Sequence, residues 1–187
     1  VNSKLYYIKY PIENSENFIT IATTRPETML GDTAVAVNPK DKRYENLVSK
    51  NVILPIVEKK IKIIADDYAD PEQGTGAVKI TPAHDFNDYE VGIRNKLEII
   101  NILTEDGKIN INAPQEYIGL DRFEARKKII SELKNKNLFV KDEDIKNKVP
   151  YGDISNSIIE PFLTEQWFAD AKKLSAKAKK IVRLKKT

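Results

Sequence analysis

Apolar and β-branched residues recur in short runs along the first hundred positions, at 5–12, 18–23, 33–37, 52–57, 61–65, 77–81 and 98–103. Runs of this length, rich in Ile, Val, Thr and Tyr and mostly bounded by turn residues such as Asn38-Pro39 and Asp106-Gly107, predict β-strands. Two stretches break the pattern with helical spacing. Residues 85–96 open on Asp85, which suits a helix N-cap, and 121–137 opens on Asp121 with Glu124 in a capping-box-like spacing. Phe123, Ile129, Ile130 and Leu133 then give the second helix one apolar stripe to lay on the sheet. The pattern predicts an α+β fold with a sheet-rich, barrel-like body and flanking helices.

Beyond Lys141 the pattern loosens into KDEDIKNKVPYGDISNS, tightens again over 158–168, and ends in an Ala/Lys-rich helical run. Three parts are expected: a body over 1–140, a connecting arm and return strand over 141–170, and a basic helical segment over 171–187. The chain starts on Val1, already in strand-like sequence, which suggests a piece of something larger.

Composition narrows the chemistry. With no cysteine, disulfides, thiolate metal sites and cysteine nucleophiles are excluded, in keeping with a reducing cytoplasm. No apolar run approaches the roughly 20 residues of a membrane span, so a cytoplasmic protein is expected. The net charge of +3 is carried by the end of the chain: 171–187 holds eight Lys/Arg and no acid, leaving 23 basic and 28 acidic residues before it. A body of net negative charge disfavours a general nucleic-acid clamp, so any RNA contact is local. The single histidine, His84, rules out a His-based zinc site, and neither a GxSxG elbow nor a Walker loop occurs.

Two segments stand out. ATTRPETMLGDTAVAVNP, over 22–39, gathers four threonines, an Arg-Pro and a Gly-Asp between two β-rich runs; GTGAVKITPAHDFNDYEVG, over 74–92, is a strand entering a helix with Lys79, Asp85 and Asp88 at its mouth. On residues alone, the first reads equally as a threonine-rich strand-loop-strand. The two aspartates of the second can equally cap a helix and complement its dipole.

Together the two segments resemble the signature peptides of the editing insertion in class I aminoacyl-tRNA synthetases for valine, isoleucine and leucine. Isoleucine-type domains usually carry Pro-Trp where Pro26-Glu27 stand and Gly in place of Asp85; leucine-type domains usually carry Asp for Glu27 and Met for Lys79. Glu27, Lys79 and Asp85 therefore point to the valine type. YIGLDRFEARKKI, over 117–129, and IIEPFLTEQWF, over 158–168, resemble the downstream part of the same enzymes, so the likeness spans essentially the whole chain. The HIGH and KMSKS signatures of ATP-dependent activation are absent.

The resemblance implies hydrolysis of threonine wrongly esterified to tRNA(Val), with no metal or organic cofactor. It makes Asp88 the anchor for the substrate's α-ammonium, with Thr24 as its catalytic companion. It gives Lys79, Thr81 and Asp85 to recognition of the threonine hydroxyl, and Thr23, Thr28, Arg25 and His84 to the surrounding binding surface. Arg25 either meets a phosphate or braces the loop by pairing with Glu27 or an aspartate, and His84 reads equally as a structural hydrogen-bonder. Phe86 and Tyr89 either stack on the terminal adenine or pack in the core. Trp167 is expected at a junction with the rest of a synthetase chain, and the Lys-rich end either meets tRNA or packs elsewhere in the parent. Partners are thus the 3′ end of tRNA(Val) and the remaining synthetase, with a monomer expected. The alternative is a module that docks the tRNA 3′ end without hydrolysing it.

Overall fold

The computed structural model describes residues 2–184. Val1 of the predicted body and 185–187 of the predicted basic segment lie outside the described residues. Seven strands and three α-helices follow in the order β1 (Asn2–Pro11), β2 (Phe18–Thr23), β3 (Ala34–Val37), β4 (Asn51–Ile53), β5 (Lys60–Ala65), β6 (Ala77–Ile80), α1 (Phe86–Asn95), α2 (Arg122–Asn135), β7 (Phe139–Lys146) and α3 (Ala171–Leu184).

The strands form two sheets, ordered β2-β1-β7 and β4-β5-β3-β6. The first is antiparallel throughout, while the second pairs β3 parallel to β5 and antiparallel to β6. The sheets approach each other along β2 and β6, and just past β1 the chain meets β4 through the Ile12–Val52 bridge and the Glu13 N–H on the Asn51 carbonyl. The body therefore curls into a ring without closing into a hydrogen-bonded barrel. The fold is α+β, as the sequence predicts, with the barrel left open along two seams.

β3 is the hub. Its Val35 and Val37 face the main core with Ile8, Tyr10, Ile19, Ile21 and Ile63, whereas Ala34 and Ala36 face a smaller cluster with Ile80 and Val91. A strand buried on both faces has no polar position to alternate with, which is why this one reads as an unbroken apolar AVAV run. The small alanines leave room for α1 to lie on the outer face.

α1 is fixed at both ends. The Asp85 side chain accepts the N–H groups of Asn87 and Asp88, and Lys96 closes the helix in the left-handed region at φ 54°. Gly92 permits close approach to the preceding turn, because a Cβ there would lie 2.9 Å from two ring carbons of Pro82. α2 buries Ala125, Ile129 and Leu133, but Phe123 stays more than one-third exposed beneath the guanidinium groups of Arg122 and Arg126. Glu124 pairs with Lys127 and does not close a capping box.

Three strand predictions change. The run 98–103 forms no strand beyond a Leu103–Ile109 bridge, and 52–57 ends as a strand at Ile53. The expected arm over 141–170 begins with β7, an edge strand of the first sheet, so the boundary at 140 falls inside a strand. Charged cross-strand pairs hold β7 where apolar alternation is missing: Lys4 meets Asp142 at 2.5 Å and the Tyr7 hydroxyl donates to Glu143 at 3.0 Å. The predicted return strand over 158–168 is extended chain with one bridge, Tyr151–Ile158. Trp167 and α3 project without packing on the described body; Trp167 is fully exposed and Leu174 is 72% exposed.

Candidate active site

A cleft of about 570 Å³ opens where the end of β2, the strand β6 and the first turn of α1 converge. The two sequence signatures meet there. Thr23, Thr24, Arg25, Lys79, Asp85 and Asp88 all line it, joined by Tyr68, Gln73 and Asn87.

Asp88 sits in the first turn of α1 and is only 6% exposed. Its Oδ2 accepts the backbone N–H of Thr81 at 2.9 Å, across the turn that carries the strand into the helix. Burial pushes its carboxyl up to about 6; the Lys79 charge and the Thr81 N–H pull the other way, and Asp85 and Asp32 add to the rise. Tyr68, whose hydroxyl neighbours Asn87 and Asp88, is itself pushed up to about 12 by burial and then by the charges of Asp88 and Asp85.

Lys79 occupies the inner wall. Its ammonium donates to Thr81 Oγ1 at 2.5 Å, to Thr28 Oγ1 at 2.8 Å and to Asp32 Oδ1 at 3.2 Å. Asp32 is completely buried and also accepts the hydroxyls of Thr81 at 2.5 Å and Tyr10 at 2.7 Å. Burial raises its carboxyl, against the opposing pull of Lys79 and those hydroxyls. Thr28 and Thr81 are thus beneath the cleft wall, bonded to Lys79, and do not line the cleft.

Asp85 caps α1 through Oδ1 and meets Arg25 Nη2 through Oδ2 at 3.3 Å. Arg25 also donates to the His84 carbonyl at 2.8 Å and to Glu160 at 2.8 Å. Of the two readings of Arg25, the brace is the arrangement present, with Asp85 and Glu160 as partners; Glu27 is instead held by Arg126 through two hydrogen bonds of 2.6 and 2.7 Å. Thr23 accepts the Arg25 backbone N–H at 3.1 Å. The Thr24 hydroxyl makes no side-chain hydrogen bond among the described residues, and Thr24 lines both this cleft and a second cavity.

His84 corrects the binding assignment. It is 1% exposed, does not line the cleft, and its Nε2 accepts the N–H of Ile102 at 2.9 Å. Burial, then the charges of Lys79 and Arg25, drops its imidazole to about 3, so it stays neutral and structural. Phe86, 79% exposed, is on the surface rather than in the core. Among the described residues no cluster of His, Cys, Asp or Glu is arranged to hold a metal, and no helix is long and apolar enough to cross a membrane.

Sequence reasoning overlooked Asp32, Tyr10, Tyr68 and Glu160. Asp32 had a signal, since it lies inside the first signature peptide. Glu160 lies inside the family-like 158–168 segment, but nothing there pointed to Arg25; Tyr10 and Tyr68 had no signal, because only folding brings 10 and 68 to this wall.

Residues 47–134 match the family described as leucyl-tRNA synthetase, editing domain. The chain is 79% identical over all its 187 residues to the valine–tRNA ligase of Pelagibacter ubique, of which it spans 21%. It is 54% identical over 179 residues, 96% of its length, to that of Petrotoga mobilis, of which it spans 20%. The chain therefore covers about a fifth of the curated relatives it matches. Among solved structures, the fold resembles a ternary complex of Agrobacterium radiobacter K84 agnB2 LeuRS, tRNA and LeuAMS, with TM-score 0.58 and 19% identity over 77% of this chain and 20% of that one. GlLeuRS-CP1 matches with TM-score 0.58 and 14% identity over 78% of this chain and 100% of that one. The family match over 47–134, the alignment of nearly the whole chain to about a fifth of valine–tRNA ligases and the two signature peptides around one cleft make this chain similar to the synthetase editing domains, with its sequence likeness on the valyl side.

Proposed function

We propose that the cleft hydrolyses the ester of threonine mischarged onto tRNA(Val). The observation that carries this reading is the placement of Asp88: a buried carboxylate, fixed by a backbone N–H, in the wall of a cleft sized for an aminoacylated nucleoside. An aminoacyl ester carries an α-ammonium beside its carbonyl. A fixed carboxylate can hold that ammonium by a charge-assisted hydrogen bond and so set the ester against a water.

No nucleophile from the protein is required, because the ester is activated and the terminal ribose offers a neighbouring hydroxyl. On the same ground the reaction needs neither metal nor organic cofactor. Thr24, with its uncommitted hydroxyl at the cleft wall, supplies a partner for the ester or the attacking water.

The need for such a site is a known limit of recognition: a pocket shaped for valine rejects threonine only about a hundredfold. A second site succeeds by demanding the hydroxyl. Valine would cover an exposed polar group there without pairing it, at a cost of about 1–3 kcal/mol. Lys79, Thr81 and Asp85 shape that polar end. Asp85 offers a carboxylate that is still partly exposed, Thr81 contributes through its N–H on Asp88, and Lys79 contributes its charge. On this reading the chain works in the cytoplasm within a monomeric synthetase, with the 3′ end of tRNA(Val) as partner.

The test is to incubate Thr-tRNA(Val) and Val-tRNA(Val) with this chain and with Asp88→Ala and follow ester loss. Threonine release by the wild type that exceeds valine release and falls by at least about 10-fold in the variant supports the proposal. Equal release of both amino acids, or release untouched by the variant, overturns it.

A further inference from the structure

The structure assigns Asp32 a positioning role in this site: with three hydroxyls it fixes the Lys79 ammonium behind Asp88 and occupies that ammonium's hydrogens, so Lys79 acts by charge alone. The assignment deepens the proposed editing function and rests on it for the substrate, though the link between Asp32, Lys79 and Asp88 stands apart from any substrate.

The hydrogen-bond inventory of the inner wall is closed. An ammonium has three donors and no acceptor, and those of Lys79 reach Thr28, Asp32 and Thr81. The Thr28 hydroxyl passes its own hydrogen to the Arg25 carbonyl at 3.0 Å, and the Thr81 hydroxyl passes its hydrogen to Asp32. The second oxygen of Asp32 takes the Tyr10 hydroxyl. Four stretches of chain contribute to this network: β1 (Tyr10), the turn over Pro26–Gly31 (Thr28) with Asp32 just beyond it, β6 (Lys79) and the turn after β6 (Thr81). A buried network with every donor and acceptor used is rigid, and opening it for a substrate would strand a charge.

The cleft-side consequence concerns Asp88. The charged or titratable groups that act on it are Lys79 from β6, Asp85 from the start of α1, Asp32 from beneath the wall and Tyr68 from the loop before β6. Lys79 favours the ionised form of Asp88, while Asp32 and Asp85 oppose it. With Asp32 in place, Asp88 faces a balanced ion pair instead of a bare cation.

The test follows the Asp88 carboxyl by 13C NMR, assigned with Asp88→Asn, through a pH titration of this chain without substrate. Threonyl-ester hydrolysis is measured over the same pH range. Asp32→Asn, which keeps the shape and removes the charge, is expected to lower the Asp88 midpoint and to move the acid limb of hydrolysis with it. Lys79→Met is expected to raise the midpoint. The double variant, which removes the pair as a unit, is expected to fall between the two and stands in if Asp32→Asn alone does not fold. An Asp88 midpoint unmoved or raised by Asp32→Asn, or a double variant identical to Lys79→Met, overturns the assignment. If the titrations behave as expected and the wild type releases no threonine, the proposed function fails and the positioning role of Asp32 stands.

Discussion

The carboxylate of Asp88 accepts the N–H of Thr81 at 2.9 Å, seven residues earlier in the chain, and so ties the first turn of α1 to the end of β6. This one bond sets the cleft's depth, because Thr81 is also the residue whose hydroxyl meets Lys79 and Asp32 on the inner side. Chemistry and packing are joined at a two-sided residue.

On the proposed function, Asp88 can hold the substrate ammonium only when ionised. Hydrolysis is therefore expected to fall as pH drops through about 6, the value to which burial raises this carboxyl. A pH–rate profile of threonyl-ester release on the wild type measures it. Asp88→Asn is expected to flatten the profile at a rate lower by about 10- to 100-fold, the loss of one hydrogen bond to a charged group.

The same carboxylate costs stability. Its folded value of about 6 lies above the usual 3.8 for aspartate. The folded state thus binds the proton more tightly, and the penalty for ionising Asp88 develops between those two values and is complete above them. Asp88→Asn is expected to be more stable than the wild type at pH 8 by about 1–3 kcal/mol, with the gap closing by pH 4. Urea unfolding at the two pH values measures the difference.

Gly92→Ala sets two effects against each other. Alanine gains about 0.5–1 kcal/mol inside a helix, but its Cβ would stand 2.9 Å from the Pro82 ring, and forced overpacking costs about 1–3 kcal/mol. The rigid ring has little room to yield. Net destabilisation is expected in thermal unfolding, with slower threonyl-ester hydrolysis because α1 carries Asp88 away from Thr81.

Glu27→Ala is expected to destabilise by roughly 1.5–3 kcal/mol, since Arg126 loses its bidentate partner but keeps the charge of Glu160 nearby and partial contact with solvent. Glu27 is completely buried, and its two hydrogen bonds to Arg126 join the turn after β2 to α2. Chemical denaturation measures the loss. A change under about 1 kcal/mol would show the clamp to be dispensable.

Glu160 bridges Arg25 and Arg122, at 2.8 and 3.3 Å, and pins the stretch around 158–161 against the cleft rim. Glu160→Ala is expected to speed amide exchange at 158–162 without altering protection in the last turns of α1. Hydrogen exchange measures it, and unchanged exchange over 158–162 contradicts the bridge.

How much was legible follows from where the signals are. β1, β2 and β5 announced themselves as short β-rich runs, and both helices of the body by their Asp caps. β7 was missed because its KDEDIK stretch is held by charged cross-strand pairs and has no apolar face to read. The run 98–103 misled because its Ile102 is buried by hydrogen bonding to His84 and by loop packing, not by a ladder. At the site, the signature peptides brought six expected residues to one cleft. They did not reveal that Thr28 and Thr81 would be spent on Lys79, because that saturation depends on folding bringing the two peptides together around Asp32, with Tyr10 arriving from β1.

The most direct measurement compares two substrates that differ only at the amine: threonyl-tRNA(Val) and its N-acetyl derivative, which carries no positive charge there. With the wild type, the free-amine ester is expected to be hydrolysed about 10- to 100-fold faster, and Asp88→Ala is expected to erase the difference. Equal rates on the two esters with the wild type would contradict the account.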